Sequence, residues 1–355
     1  GGMSVFLSER LKTLKAYVPG EQPESGSRII KLNTNESPFP PSPKAVEAGR
    51  RALDGLNLYS DPDARLLKSA LAAELKLKPE NISVFNGSDE ALALIMTGFC
   101  DSGAVYNDVT YGFYKVIAGL FGIKSNVVQL NDDFTINAEA YGDKDGTVFI
   151  ANPNAPTGIF LSVDKIEFIA AQRPDRLVVV DEAYVDFGGE SAVSLIGRLR
   201  NVLVVRTFSK SRSLAGGRLG FVAANKEIIA DLERIRNSFN PYNVDSVAIS
   251  MGAAAVEDKE YFEKTRRSVE KNRAVLSRGL KKLGFFLTDS LANFVFASPP
   301  DGDGMRFKNL LQKKGILVRF WDEPRIRRFC RITVGSEADV SALLIAAAEI
   351  YGGGQ

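Results

Sequence analysis

The sequence predicts an α/β protein, with a large unit on a mainly parallel seven-stranded sheet followed by a smaller α+β unit. Two observations carry this expectation. Short β-branched runs recur between helical stretches, and most are apolar throughout instead of alternating, as strands are when helices cover both faces of a parallel sheet. From about residue 254 the texture changes to a long charged helix and a few later strands.

The seven runs lie at 82–85, 104–106, 126–130, 147–150, 177–180, 202–206 and 219–223. The chemically interesting segments, beginning at Gly87, Asn152, Asp181 and Thr207, all follow such runs. In open parallel sheets ligands bind outside the carboxyl ends of the strands. The smaller unit is read as a helix over 259–283, strands near Phe294, Leu317 and Ile332, and a closing helix from Glu337. Residues 237–246 fit either a loop over the site or the start of a connecting helix. Residues 1–28, with Pro19, Gly20, Pro23 and Gly26, read as an extended arm that packs with the smaller unit. The expected division is therefore 1–28, 29–253 and 254–355, with no repeats and no low-complexity tract.

Composition narrows the function. A chain of 355 residues with 45% hydrophobic content can fill a sizeable core. Forty-five basic against 43 acidic residues leave a net charge of +2, too balanced for the basic stripe of a nucleic-acid binder, so small-molecule partners are expected. Cys100 and Cys330 lie far apart and read as small buried hydrophobes, which argues against a disulfide framework or a metal site and for a reducing cytosol. No run approaches the length of a membrane span.

The chain contains no histidine, so the commonest general base is missing and another side chain must move protons. Lys210 stands out, in Thr207-Phe208-Ser209-Lys210 with Arg218 eight positions on. A lysine that is desolvated or set beside other cations can lose its proton near neutral pH and attack a carbonyl. The plain alternative is a surface lysine. Asn86-Gly87-Ser88-Asp89-Glu90 joins a strand to a helix, where free amides can cradle a phosphate and Gly87 permits close approach; simple N-capping by Ser88 explains the same residues. Asn152 to Gly158 is a turn signal, and Asp181 either ends its strand or pairs with a cationic ring nitrogen, with Tyr184 three residues on. Tyr111 and Tyr114 fit a ligand wall or a core.

The order of these segments along the chain decides between the readings. Gly87-Ser88-Asp89-Glu90, Thr110-Tyr111-Gly112, Asn154 to Gly158, Asp181 to Tyr184, Ser209-Lys210 and Arg218 resemble the fold type I pyridoxal-phosphate enzymes, class II aminotransferases in particular. Leu32 to Pro38, Tyr59-Ser60-Asp61-Pro62, Asp181 to Phe187 and Arg331 to Gly335 are most similar to the histidinol-phosphate aminotransferase family. The resemblance implies an aspartate-aminotransferase-like fold with pyridoxal 5'-phosphate carried on Lys210. It implies that Asp181 pairs with the ring nitrogen, Tyr184 donates toward the ring oxygen, and Tyr111 stacks on the ring. Gly87, Ser88, the Asp89 amide, Ser209 and Arg218 would hold the phosphate, with Tyr59 reaching it from a second subunit of a homodimer with shared sites. Arg331 would bind the substrate's acidic group, and Tyr17, Asn35, Asn293 and Arg319 match further pocket positions.

Two departures are visible. The family's ring-oxygen asparagine directly precedes Pro-Thr-Gly, whereas here Ala155 does and Asn154 lies one position earlier. Asp108-Val109 replace a proline pair before Thr110-Tyr111. The activity implied is transamination from an amino donor, L-histidinol phosphate, to 2-oxoglutarate. A threonine-phosphate decarboxylase and an aromatic aminotransferase share the same motifs and are separated by product analysis and substrate competition. A cofactor-sensing regulator would need a DNA-binding domain ahead of Leu32, where the large-unit motifs already begin.

Overall fold

The structure is a computed structural model that describes residues 4–23 and 29–352. In chain order, β1 is Ile30–Leu32, α1 Pro43–Ala52, α2 Arg65–Leu75, β2 Ile82–Phe85, α3 Gly87–Phe99, β3 Ala104–Asn107, α4 Phe113–Phe121 and β4 Ser125–Val128. There follow β5 Thr147–Ala151, α5 Val163–Gln172, β6 Val178–Asp181, β7 Val202–Thr207, β8 Gly220–Ala224, α6 Lys226–Phe239 and α7 Ser246–Glu257. The chain closes with α8 Lys259–Lys282, β9 Phe286–Leu287, β10 Phe294–Ser298, α9 Gly304–Lys313, β11 Ile316–Phe320, β12 Cys330–Thr333 and α10 Glu337–Tyr351.

All seven apolar runs become strands of one sheet, in the order β2-β8-β7-β6-β5-β3-β4. Only β8 runs against its neighbours. The alternation hidden within the apolar runs sorts the two faces: Val179, Leu203 and Phe149 pack under α3, α4 and α6, while Val148, Val178, Val180 and Val204 pack on Ile166, Ile169 and Leu195. Polar residues supply the stops and starts. Ser42 caps α1 through the Ala45 amide at 3.1 Å, ahead of Pro43, and Asp245 caps α7 through Ala248 at 2.8 Å. Ser336 and Asp339 form a capping box on α10.

The second sheet has five strands, β1-β11-β12-β10-β9, and packs on α8, α9 and α10. It differs from expectation in two respects, the first being the two-residue edge strand β9, which is not among the expected strands. Ile30–Leu32, which the division at residue 29 assigns to the large unit, pairs in parallel with Ile316 to Val318. A three-residue strand carries too little periodicity to be read, and its partner lies at the far end of the chain. Residue 254 also falls inside α7, a continuous helix packed on α1 and α2, so the change of texture there is not a break in the chain. Segment 237–246 resolves into the end of α6, a short loop and the start of α7. Within the arm, residues 4–23 hold a short 3-10 turn at Glu9–Leu11 and otherwise run irregularly to the mouth of the site described below; positions 1–3 and 24–28 lie outside the described residues. Cys100 and Cys330 are both buried and unbridged. Among the described residues no helix is long and apolar enough to cross a membrane.

Phe149, in the middle of β5, has no exposed surface. Phe149→Ala is expected to lower stability by about 3–5 kcal/mol through lost burial and an unfilled cavity, read as a lower urea midpoint by circular dichroism.

Candidate active site

The carboxyl ends of β2, β5, β6 and β7 converge on one cavity of about 380 Å³. Its remaining walls are the segment after β1, the arm at Tyr17 to Gly20, and the arginines of β11 and β12. At its centre the Lys210 ammonium donates to the Thr34 carbonyl at 3.0 Å and lies 5.8 Å from the centroid of the Tyr184 ring. Burial, followed by the positive charge of Arg331, pushes this amine down from 10.5 to about 8. Lys210 is thus half-buried and easily made neutral, which rules out the surface reading.

Asp181 ends β6 with its carboxylate buried. One oxygen accepts from the Tyr114 hydroxyl at 2.8 Å, and burial raises its pKa to about 6. Tyr114 is therefore part of the site although the sequence left it between core and ligand wall. The available signal was its position three residues after Tyr111, within the turn that leads into α4, where the Tyr114 amide donates to the Tyr111 carbonyl. Tyr184 accepts at its hydroxyl from the Asn35 amide at 3.0 Å, which leaves its own proton to donate into the cavity. Asn35 holds this pose with φ at +56°, anchored by its backbone amide on Thr333 at 2.9 Å.

The start of α3 forms a cup. Its N-cap, Asn86, makes no side-chain cap bond, so the first amides of the helix lack that partner. Gly87 has φ at +82°, and a Cβ there would come within 2.6 Å of the Arg218 guanidinium. That guanidinium lies 3.5 Å from the Ser209 hydroxyl and 3.5 Å from the Asp89 carboxylate. Asp89 also accepts from the Tyr111 hydroxyl at 3.0 Å, which fixes the tyrosine ring along the wall. Glu90 turns away, accepting from the Asn86 amide and from Asn243. Thr207, absent from the sequence-based set, lines the cup and accepts from the Ser209 amide at 3.1 Å.

Opposite the cup, Arg319 and Arg331 are register partners on β11 and β12. Arg331 donates to the Asn33 carbonyl at 2.9 Å, and its buried Nε has no partner among the described residues. Arg319 donates to the Val18 and Pro19 carbonyls at 2.8 and 3.1 Å, holding the arm so that Tyr17 meets Tyr111 edge-on across the mouth.

Four expected site residues do not line the cavity: Gly87 lies beneath the Arg218 guanidinium, and three others sit farther off. Asn154 is buried beside it, with its amide donating to the Val109 carbonyl and Thr157 hydroxyl and its oxygen accepting from Thr110; the one-position shift puts Ala155 on the cavity wall instead. Asn293 lies one layer behind, donating to the Asn35 carbonyl at 2.9 Å. Tyr59 is 81% exposed and stacks on Tyr242 at 4.4 Å, away from this chain's own cavity.

A reactive amine, a buried carboxylate, a tyrosine wall and an anion cup around one cavity define a site for a phosphorylated aromatic aldehyde. Comparison with known proteins agrees. A family profile described as aminotransferase class I and II matches residues 27–346, and the chain belongs to that family. It is 47% identical over 345 residues to a histidinol-phosphate aminotransferase of Acinetobacter baumannii, covering 96% of this chain and 95% of that protein. The crystal structure of histidinol-phosphate aminotransferase from Sinorhizobium meliloti in complex with pyridoxal-5'-phosphate superposes with TM-score 0.88 at 25% identity, covering 99% of this chain and 98% of that one. Aspartate aminotransferase from Thermus thermophilus shares the fold, with TM-score 0.79 at 22% identity over 91% of each chain. The protein is an aspartate-aminotransferase-like, pyridoxal-phosphate-dependent aminotransferase.

In cofactor-free protein the Lys210 amine is expected to react with an amine-directed reagent along a pH curve centred near 8, well below the ordinary lysine value of 10.5. Arg331→Ala should move that midpoint upward, because a cation that disfavours the ammonium is gone. Peptide mapping after modification at a series of pH values measures both.

Proposed function

We propose that this aminotransferase takes the amino group from L-histidinol phosphate and gives it to 2-oxoglutarate, yielding imidazole-acetol phosphate and L-glutamate. The observation that carries the reading is Arg331: a guanidinium that lines the cavity opposite the anion cup and stands close enough to Lys210 to depress its basicity. An acidic group entering from the mouth meets the guanidinium where it lines the cavity, and a guanidinium serves phosphate and carboxylate alike. One receptor then suits both substrates in turn.

The residues fit pyridoxal 5'-phosphate. Lys210 would hold it covalently, Asp181 would face its ring nitrogen, Tyr184 its ring oxygen and Tyr111 its ring face. Ser209, Arg218, the Ser88 hydroxyl and the first amides of α3 would hold its phosphate. When bound, the cofactor supplies an electron sink for the carbon that carries the amino group. What the chain adds is proton movement and orientation. The Lys210 amine, mostly deprotonated only slightly above pH 8, is the base that takes the proton from the substrate's α-carbon, a task for which this chain has no histidine. Tyr114 keeps one Asp181 oxygen bonded, so the carboxylate presents its other oxygen in a fixed direction. Tyr17 and the arm, tied by Arg319, cover the mouth and reduce the water that competes for the site.

We read the seven-stranded unit as the holder of the cofactor and the five-stranded unit as the holder of the acid receptor. Two unbridged cysteines are consistent with a cytoplasmic enzyme. A two-fold homodimer with shared sites is part of the same proposal. Leu56, Leu58, Tyr59, Phe239 and Tyr242 are all exposed near the Tyr59–Tyr242 stack, apolar surface that calls for a partner.

Lys210→Ala is expected to abolish turnover, and borohydride reduction of the wild type to fix the cofactor on Lys210; label on another lysine refutes the assignment. Arg331→Ala is expected to weaken both substrates by roughly 2–5 kcal/mol, the cost of a desolvated charge-assisted contact. Steady-state kinetics showing loss for one substrate alone would refute the shared receptor. After refolding an equal mixture of Tyr59→Ala and Lys210→Ala chains, about a quarter of the sites carry both intact residues by random pairing. At limiting cofactor, activity is expected to exceed the sum of the two parents; no recovery in demonstrated heterodimers places Tyr59 outside the partner's site.

A further inference from the structure

The two walls of the cavity are carried by different sheets, and one ion pair ties them together outside the cavity. Asp108 directly follows β3 and precedes Thr110-Tyr111. Its amide donates to the Val128 carbonyl at 3.0 Å and its carboxylate accepts from the Leu130 amide at 2.9 Å, so the start of the Tyr111 loop is fixed to the segment after β4. Its other oxygen accepts from Arg325 at 2.5 Å. Arg325 lies in the loop between β11 and β12, the strands that hold Arg319 and Arg331. Its second terminal nitrogen donates to the Leu130 and Asn131 carbonyls, and the guanidinium lies 5.5 Å from the centroid of the Phe134 ring. One arginine thus engages a carboxylate, two carbonyls and an aromatic face, and both ion-pair partners are partly buried.

Around this contact lies a small core drawn from both sheets: Val109, Leu130 and Phe134 from one side, Phe296, Ile326 and Phe329 from the other. Trp321 packs against its edge. The guanidiniums of Arg319 and Arg331 each lie 5.3 Å from the centroid of a Trp321 ring. A continuous path of packed side chains therefore leads from Asp108 through Arg325 and this core to Trp321 and the two arginines.

We propose that Asp108 and Arg325 form a strut that sets the spacing between the Tyr111 wall and the Arg331 wall, and that both are positioning residues for the amino substrate. A substrate that must meet Lys210 at its α-carbon and Arg331 at its acidic end requires that span to be fixed. The substrate part of this inference rests on the function proposed above; the strut itself does not.

Trp321 is the only tryptophan in the chain, so its emission reports on the arginine wall without any turnover. In cofactor-free protein, Asp108→Asn and Arg325→Gln are each expected to red-shift that emission and to increase its quenching by acrylamide. Asp108→Asn retains an oxygen for the Leu130 amide and replaces the oxygen that accepts from Arg325 with an uncharged NH2. In holoenzyme each is expected to raise KM for L-histidinol phosphate about tenfold with kcat within about twofold, the pattern of weakened substrate placement with intact chemistry. The double variant is expected to be no worse than the poorer single variant, because the two residues act through one contact. Arg325→Lys, which keeps the charge but loses the fork, should fall between wild type and Arg325→Gln and guards against a variant that fails to fold. Unchanged Trp321 emission in both charge-removing variants, a fall in kcat at constant KM, or losses that multiply in the double variant would each overturn the strut. A shifted emission in an enzyme whose wild type does not turn over L-histidinol phosphate would leave the strut standing and remove the substrate reading.

Discussion

The site depends on one amine held by a neutral group. Lys210 donates to the Thr34 carbonyl and not to a carboxylate, while Arg331 stands near enough to oppose its charge. A lysine paired with an acid in the same cavity would stay an ammonium and could neither attack a carbonyl nor accept a proton. Glu36, the acid closest in sequence to Thr34, is engaged by Lys31 at 2.5 Å and by the Thr34 hydroxyl. Asp89 is engaged by Tyr111 and Arg218, and Asp181 by Tyr114. Each carboxylate around the cavity has a partner of its own, which leaves the amine poised.

Directly beneath the Lys210 loop lies a second charged layer. Arg206 pairs with Asp186, Asp186 accepts from Ser211 at 2.5 Å, and Glu182 accepts from Ser191 and the Ala192 amide at 2.6 Å. The layer holds the loop on both sides of Lys210 without placing a free acid beside it. Burial raises Glu182 to about 7, whereas Asp186 falls below its usual range because burial is outweighed by Arg206, Arg212 and the Ser211 hydroxyl.

Much of this was legible in the sequence, and for physical reasons. Strands buried on both faces are apolar at nearly every position, so all the runs but the largely exposed edge strand β4 were recognisable on that ground, and strand ends pointed to Gly87, Asp181 and Lys210. What escaped depends on contacts between distant segments. The short β1 has no pattern of its own, and Tyr114 reads as core until its hydroxyl is seen on Asp181. Asn293 carries the right side chain one layer too deep, and Asn154 is turned by its neighbours Val109, Thr110 and Thr157. Asp108, visible only as a departure from a proline pair, makes a backbone bond to Val128 that proline cannot make.

The parallel pairing of β1 with β11 bears on how the protein is made. Ile30 meets Ile316, so the strand that leads into Thr34 and Asn35 is seated only after most of the chain has left the ribosome. Arg331 is synthesised later still. Until both are in place, Lys210 lacks the Thr34 carbonyl and the Arg331 charge that surround its amine in the complete fold. A product ending before β11 would therefore lack both the strand that seats Thr34 and the arginine beside Lys210, and its lysine would stay closer to the ordinary value of 10.5.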